Sequence, residues 1–239
     1  MMRGTLYLVP NLLGALPPAD VLPARTIAIA RTLRHWVVET PKPARAFLKS
    51  LDTPHAIAEL DIRPLPERAD AAALSALLAP ARDGADIGLL SDAGCPGVAD
   101  PGAALVGAAH ASGIRVVPLV GPSSLLLALM ASGMNGQSFA FHGYLPMPAV
   151  ERVAALRRLE EESRTLRRAQ LFIETPYRNE AIVKAIGEAL RPATLLGVAV
   201  DLTLPGETIE RRTAAAWKRE DPARFAKRPA LFVLDASGT

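Results

Sequence analysis

Residues 88–124 read GLLSDAGCPGVADPGAALVGAAHASGIRVVPLVGPSS, and this stretch decides the fold. The short apolar run at 87–90 is bounded by polar and turn residues, which predicts a buried strand of a parallel sheet. The next residues, 91–102, hold three glycines, two prolines and two aspartates, a composition typical of a shaped loop. Small apolar residues then predict a helix over 103–112, and β-branched residues predict a second strand over 114–119.

A second tight loop at 120–124 follows that strand, and a helix is expected to begin at Leu125. Gly113 is placed to end the preceding helix as its C′ residue. Loops at the carboxyl ends of neighbouring parallel strands are where open α/β sheets bind ligands. The stretch therefore predicts an α/β protein whose ligand site is built by the loops 91–102 and 120–124.

The alternation of strands and helices continues on both sides of this stretch. Strands are predicted at 5–9, 35–39, 57–64, 170–174, 194–202, 208–212 and 229–234, and a strand or an extended connection is predicted at 139–144. Further helices are predicted at 23–33, 44–51, 69–81, 149–168, 179–190 and 213–220, with Asp20 as a possible N-cap of the first. The order predicts a parallel sheet with right-handed crossovers in the first part of the chain. The segment LPMP at 145–148 indicates a linker, so we expect two α/β domains, 1–144 and 145–239.

The composition is that of a globular protein. The 239 residues are 50% hydrophobic and carry a net charge of +3 with a pI of about 9.3. This mild excess of positive charge suits an anionic partner without requiring nucleic acid. The single cysteine, Cys95, excludes internal disulfides and favours a reducing compartment. Pro10, Asn11 and Gly14 break the apolar start of the chain, so we expect no signal peptide, no membrane span and a soluble, cytoplasmic protein.

Several common catalytic motifs are absent from the sequence. The first strand is followed by PNLLG rather than G-x-G-x-x-G, and there is neither a G-x-x-x-x-G-K-[ST] phosphate loop nor a G-x-S-x-G elbow. The four histidines lack the spacing of metal ligands or of a catalytic triad, so we expect no metal; they are His35, His55, His110 and His142. The loop 92–98 can hold backbone groups toward a flat, mostly neutral ligand such as adenosine, or it can form a purely structural turn.

The loop 91–102, SDAGCPGVADPG, resembles the S-D-A-G-T-P-x-x-x-D-P-G signature of the tetrapyrrole methylase superfamily. It is most similar to the branch that contains the bacterial 16S ribosomal RNA cytidine 2′-O-methyltransferases. Five further segments are similar to that branch, and they are 4–10, 116–124, 143–146, 172–178 and 202–208. The resemblance implies a two-domain tetrapyrrole methylase-like fold in which each domain is a mostly parallel or mixed sheet flanked by helices.

The resemblance also implies S-adenosylmethionine as the methyl donor, bound in a cleft between the domains, and a homodimer. The family's donor contacts fall on eleven positions of this sequence, which are Pro10, Asp92, Gly94, Cys95, Val98, Ser123, Ser124, Ile173, Leu202, Pro229 and Ala230. Cys95 is interpreted as a small side chain facing the donor and not as a nucleophile, because nothing basic flanks it to lower its pKa.

The acceptor half of the expected site departs from the branch. Residues 11–14 are NLLG where the branch has I-G-N after its T-P, and residues 39–42 are ETPK where it has E-D-T-R. The acceptor therefore stays open between a ribose hydroxyl of ribosomal RNA and a small molecule such as a tetrapyrrole, and a donor-binding module without catalysis is a third hypothesis. The arginine-rich segments 152–168 and 211–228 favour RNA.

Methyl transfer to a hydroxyl also needs a group that takes the proton. Four carboxylates are candidates for this base, and they are Glu39, Asp100, Glu174 and Glu207. Each of them also has a structural alternative; Asp100, for example, precedes Pro101 and could simply shape the turn. Arg178 could anchor a phosphate or pair with Glu174.

Overall fold

The computed structural model describes residues 3–238 and divides into two compact units, Met1–Ser123 and Ser124–Thr239. The domain boundary at 144/145 stays a prediction. The two compact units divide earlier because the segment after Ser123 packs on strands of the second sheet. No helix among residues 3–238 is long and apolar enough to cross a membrane.

Ten strands and nine helices make up the regular structure of the described residues. The strands are β1 (Thr5–Val9), β2 (His35–Val38), β3 (Asp61–Pro64), β4 (Ile87–Leu90), β5 (Arg115–Pro118), β6 (Phe139–Tyr144), β7 (Ala169–Glu174), β8 (Leu195–Val200), β9 (Thr208–Thr213) and β10 (Ala230–Asp235). The helices are α1 (Ala24–Thr32), α2 (Pro41–Ser50), α3 (Ala71–Leu77), α4 (Ala79–Arg82), α5 (Ala103–Ala111), α6 (Ser124–Ser132), α7 (Ala149–Leu166), α8 (Asn179–Ala189) and α9 (Ala214–Trp217).

The sheet of the first unit is entirely parallel, with strand order β3-β2-β4-β1-β5. Ala30 of α1 and Phe47 of α2 belong to one buried cluster, while Leu77 of α3 and Leu105 of α5 belong to another, so helices cover both faces of the sheet. The chain moves one way from β1 to β2 and β3, and returns to β4 and β5. The direction therefore reverses between the adjacent strands β1 and β4, and this is the switch point at which open α/β sheets bind ligands.

One expectation about this sheet is wrong. The strands that carry the two predicted loops, β4 and β5, are not neighbours, because β1 lies between them and pairs with both. The loop after β1 therefore stands in the middle of the candidate site. Sequence periodicity identifies each strand but carries no information on which strands pair.

The ends of several elements differ from the prediction for local reasons. Helix α2 begins at Pro41 and not at Ala44, because proline fits the first turn of a helix, where its missing N–H is not needed. Asp20 lies in a short 3₁₀ helix, and Pro23 is the N-cap of α1. Gly113 ends α5 as predicted, with a φ of 62° and the backbone hydrogen bonds of a Schellman motif.

The second unit is built on a mixed sheet with strand order β6-β7-β10-β8-β9. β6 and β7 are parallel and the other pairs are antiparallel. Phe172 and Phe232 stack at 5.3 Å between ring centroids in a core that also holds Leu156 of α7 and Ile186 of α8. Both units are thus sheets flanked by helices, which confirms the predicted α/β class.

Candidate functional site

Three loops meet at the carboxyl edge of the first sheet, and we call them the loop cluster. They are residues 10–16 after β1, 91–102 after β4 and 119–123 after β5. Cys95 Sγ donates to the carbonyl of Pro122 at 3.4 Å, which joins the second loop to the third. Gly121 lies so close to the first loop that an added Cβ would be 2.4 Å from the Cβ of Pro10. Three segments far apart in sequence therefore form one packed edge.

Asn11 ties the first loop to the second. Its backbone N–H donates to the carbonyl of Gly94 at 2.8 Å, and its Nδ2 donates to the carbonyls of Ser91 and Asp92 at 3.0 Å each. Its Oδ1 accepts from the N–H of Leu12 at 2.8 Å, so both polar atoms of this buried side chain are hydrogen-bonded. The sequence-based prediction gives Asn11 no role in the site, although an asparagine after a strand-ending proline is a local signal for a side chain that hydrogen-bonds to the backbone.

The end of β2 braces the same loop through two reciprocal hydrogen bonds. The N–H of Asp92 donates to Glu39 Oε2 at 3.0 Å, and the N–H of Thr40 donates to Asp92 Oδ1 at 3.1 Å. The backbone at Gly94, with a φ of 68°, takes a conformation that glycine adopts without cost. Ala99 takes a similar one with a φ of 64°, which is strained for a residue with a Cβ. The loop is thus held in one shape from several sides.

The loop cluster is acidic. Burial raises the pKa of Asp100 to about 6, and the nearby charges of Glu39 and Asp92 add to this rise. Burial, together with the charge of Asp100, also raises the pKa of the Cys95 thiol. Cys95 therefore stays a neutral thiol, in line with its interpretation as a small side chain and not a nucleophile.

The predicted donor contacts of the second unit also lie together. Ile173 is on β7 and pairs with Leu231 of β10, whose first residue is Ala230. The carbonyl of Pro229 accepts from the N–H of Asp201 at 3.0 Å, which places Leu202 next to the start of β10. Four predicted contacts thus share one end of the second sheet, and they are Ile173, Leu202, Pro229 and Ala230. Ser124, a fifth, begins α6.

Two of the four candidate bases are committed to structural contacts. Glu174 has a fully buried side chain that pairs with Arg178 at 2.8 Å and accepts from the N–H of Thr175. Of the two predicted roles of Arg178, a phosphate anchor or an ion pair with Glu174, the structure shows the ion pair. Glu207 accepts from the N–H of Thr203 at 2.7 Å and so closes a turn. Glu39 and Asp100 are the two candidates that lie at the loop cluster.

Two more of the predicted donor contacts lie in the first unit. Val98, 47% exposed, and Ser123, half-buried, both belong to the loop cluster. Among residues 3–238, no group of three or more His, Cys, Asp or Glu side chains has an arrangement that could hold a metal ion.

Known proteins with similar sequences and structures are methyltransferases. A family model described as "Tetrapyrrole (Corrin/Porphyrin) Methylases" matches residues 15–217. The chain is 32% identical to the ribosomal RNA small subunit methyltransferase I of Escherichia coli O157:H7, over 97% of this chain and 78% of that protein. It is 39% identical to the protein of the same name from Mesorhizobium japonicum, over 59% of this chain and 46% of the relative. The crystal structure of the methyltransferase CobJ matches with a TM-score of 0.63 at 20% identity, covering 97% of this chain and 94% of that chain, which shows a shared fold.

Proposed function

Because the chain belongs to the tetrapyrrole methylase family and is a methyltransferase, we propose that it transfers a methyl group from S-adenosylmethionine to a ribose 2′-hydroxyl of ribosomal RNA. The name of the Escherichia coli relative, which aligns with nearly the whole chain, supports RNA as the acceptor. The observation that carries the donor assignment is the loop cluster at the β1/β4 switch point, where Asn11 and Gly121 lock three loops together.

The residues of the loop cluster fit this donor. The three loops contain no lysine or arginine, so they offer no cation to a phosphate group. Glu39, Asp92 and Asp100 lie close together and make the region negative, and the charges of Glu39 and Asp92 add to the rise that burial causes in the pKa of Asp100. A sulfonium nucleoside carries a positive charge beside a flat, neutral base, and negative surroundings favour it over an anionic nucleotide.

S-adenosylmethionine, when bound, supplies an electrophilic methyl group on a positively charged sulfur. The chain's own contribution is first to hold the reactants in line, which rigid loops do better than mobile ones. The hydrogen bonds of Asn11 and the packing of Gly121 on Pro10 supply that rigidity. Asp100 is the carboxylate we assign as proton acceptor, because its pKa of about 6 makes it ionised yet basic at neutral pH.

Calorimetric titration with S-adenosylmethionine tests the donor assignment. The sulfonium form should bind more tightly than S-adenosylhomocysteine, its uncharged thioether, because only the former gains from the acidic loops. The variant Asn11→Asp keeps the shape of the side chain but replaces the Nδ2 donor by an oxygen that repels the carbonyls of Ser91 and Asp92. We expect at least tenfold weaker donor binding, about 1.4 kcal/mol.

The matched control is Asn135→Asp, which removes a comparable hydrogen bond to the carbonyl of Arg167 in the second unit. Its donor affinity should stay within twofold of the wild type. Equal weakening in both variants, or no binding of the donor by the wild type, would contradict the assignment.

The acceptor is tested with a radiolabelled methyl group. Three substrates should be compared: protein-free 16S ribosomal RNA, intact small ribosomal subunits and a porphyrin precursor. Label in RNA that resists alkaline cleavage at the modified nucleotide would identify a 2′-O-methyl group. Label in the porphyrin precursor alone would refute RNA as the acceptor, and label in none of them would favour a binding module without catalysis.

A further inference from the structure

A groove of about 450 Å³ opens in the first unit beside the loop cluster. One wall is the loop after β1, with Leu13 and Leu16, and the other is α2, with Pro43, Ala46 and Phe47. Residues 11–16, Asp92 and Ala93 line the groove and belong to the loop cluster, so the groove opens directly beside that cluster. A molecule in the groove therefore lies next to the site that we assign to the methyl donor.

The groove itself suits a flat apolar group. Its walls are mostly apolar; Asn11 and Ser50 are polar, and Asp92 is the one charged residue among the described residues that line it. A phosphate that entered the groove would lose its hydration without meeting a cation there. The face of a nucleobase is weakly hydrated, so its burial costs little hydration free energy. Proteins that read single-stranded RNA commonly take an unstacked base into such a space.

Helix α2 carries a row of cations at the side of the groove. Lys42, Arg45 and Lys49 follow the spacing i, i+3, i+7, which places them on one helix face, and all three are exposed. None of them forms an ion pair with another described residue. The row extends roughly 10 Å along the helix axis. We call it the α2 stripe.

The arginine-rich segments that first suggested RNA binding differ from the α2 stripe because three of the cations in each segment already form ion pairs with carboxylates. In α7 and just after it, Arg158 and Arg168 pair with Glu162, and Arg164 pairs with Glu161. In the segment 211–228 the same holds, and the pairs are Arg212 and Arg224 with Glu210 and Glu220, and Arg228 with Asp201. A phosphate approaching these arginines must compete with a carboxylate already in contact.

We propose that α2 is the RNA-binding element of this protein: one unstacked nucleobase enters the groove between Leu13 and Phe47, and phosphates of the same strand contact Lys42, Arg45 and Lys49. The proposal rests on the proposed function and names the part of the surface that holds its acceptor. Two observations point to a single RNA strand: the groove has the chemistry of a base site, and three exposed cations that form no ion pair with a described residue stand beside it.

The first experiment measures binding of protein-free Escherichia coli 16S ribosomal RNA to the full chain by filter binding at several salt concentrations. The triple variant Lys42→Gln, Arg45→Gln, Lys49→Gln should bind at least tenfold more weakly at low salt. The slope of log affinity against log salt should become less negative by about 2, because each lost phosphate contact with a single strand removes about 0.7.

The matched control is the triple variant Arg158→Gln, Arg164→Gln, Arg168→Gln, which removes the same charge from ion-paired arginines. We expect its RNA affinity to change less than threefold. S-adenosylmethionine binding by both triple variants should match the wild type, which shows that each is folded.

The second experiment tests the groove separately from the stripe. Ala46→Phe fills the groove, so methyl transfer to RNA should fall at least tenfold while the salt slope of RNA binding, which the phosphate contacts set, stays unchanged. Ala72→Phe makes the same change at an exposed position of α3 and should leave transfer unchanged.

The results separate this proposal from the function on which it rests. If the wild type binds the donor but methylates no RNA, the proposed function fails and this inference falls with it. If the wild type methylates RNA and the α2 triple variant keeps its affinity and salt slope, the function stands and α2 is not the RNA-binding element. Equal transfer by Ala46→Phe and Ala72→Phe would show that the groove holds no base.

Discussion

The substitution Gly121→Ala should break the loop cluster at a single point. An added Cβ would lie 2.4 Å from the Cβ and 2.7 Å from the Cγ of Pro10, and 3.0 Å from Cδ2 of Leu22. The leucine can turn away, but the ring of Pro10 is fixed to the backbone. The backbone of Gly121 is outside the left-handed region, so alanine meets no conformational strain there and the effect is purely steric.

The size of the effect follows from these contacts. Forcing one extra methyl group into a packed site costs about 1–3 kcal/mol. For a chain of this size such a loss lowers the melting temperature by about 3–9 °C. If the chain instead relieves the contact by moving the loop 119–123 away from Pro10, stability is largely kept and the donor site opens. We then expect at least tenfold weaker binding of S-adenosylmethionine.

Thermal unfolding and calorimetric donor titration on the same sample check both possibilities. The control is Gly107→Ala in α5, where an added Cβ meets nothing within 4 Å. It should stabilise the protein by about 0.5–1 kcal/mol because alanine favours a helix interior. A Gly121→Ala protein with the melting temperature and donor affinity of the wild type would refute the packing of these two loops.

Four further predictions concern ionisable groups. The rate of methyl transfer should fall as the pH drops through about 6, where Asp100 takes up a proton, and Asp100→Asn should remove this dependence and lower the rate about 10²-fold or more. Because burial raises the pKa of Asp100 above its value in the unfolded chain, the wild type loses stability as the pH rises through about 6. Asp100→Asn should therefore unfold at a higher temperature than the wild type at pH 8, and this difference should disappear below pH 4. Arg178→Met should cost about 3 kcal/mol in urea unfolding by leaving the Glu174 carboxylate buried and unpaired, and Glu174→Gln in addition should restore part of the loss. Cys95 should react with iodoacetamide more slowly than a free thiol at pH 8, because burial raises the pKa of its thiol. Reaction at the rate of a free thiol would contradict the burial of this side chain in the loop cluster.

Local sequence determined most of the secondary structure. The strand at 87–90, the helix ended by Gly113 and the strand at 139–144 lie where composition and periodicity predict them. These features depend on neighbours a few residues away, which a sequence displays directly. The homodimer and the cytoplasmic location stay predictions, and so do the donor contacts assigned from the resemblance.

Tertiary structure decided what the loops and charges do. Only the fold shows that β1 lies between β4 and β5, because strand pairing joins residues far apart in sequence. Only the fold shows that Asn11 bonds the carbonyls of Ser91 and Asp92, some 80 residues away. The same reason applies to charge. The sequence does not show which arginines form ion pairs, because the position of the carboxylate partner depends on packing. The structure pairs Arg158 and Arg164 of α7 with glutamates and leaves the α2 stripe free of ion pairs among the described residues.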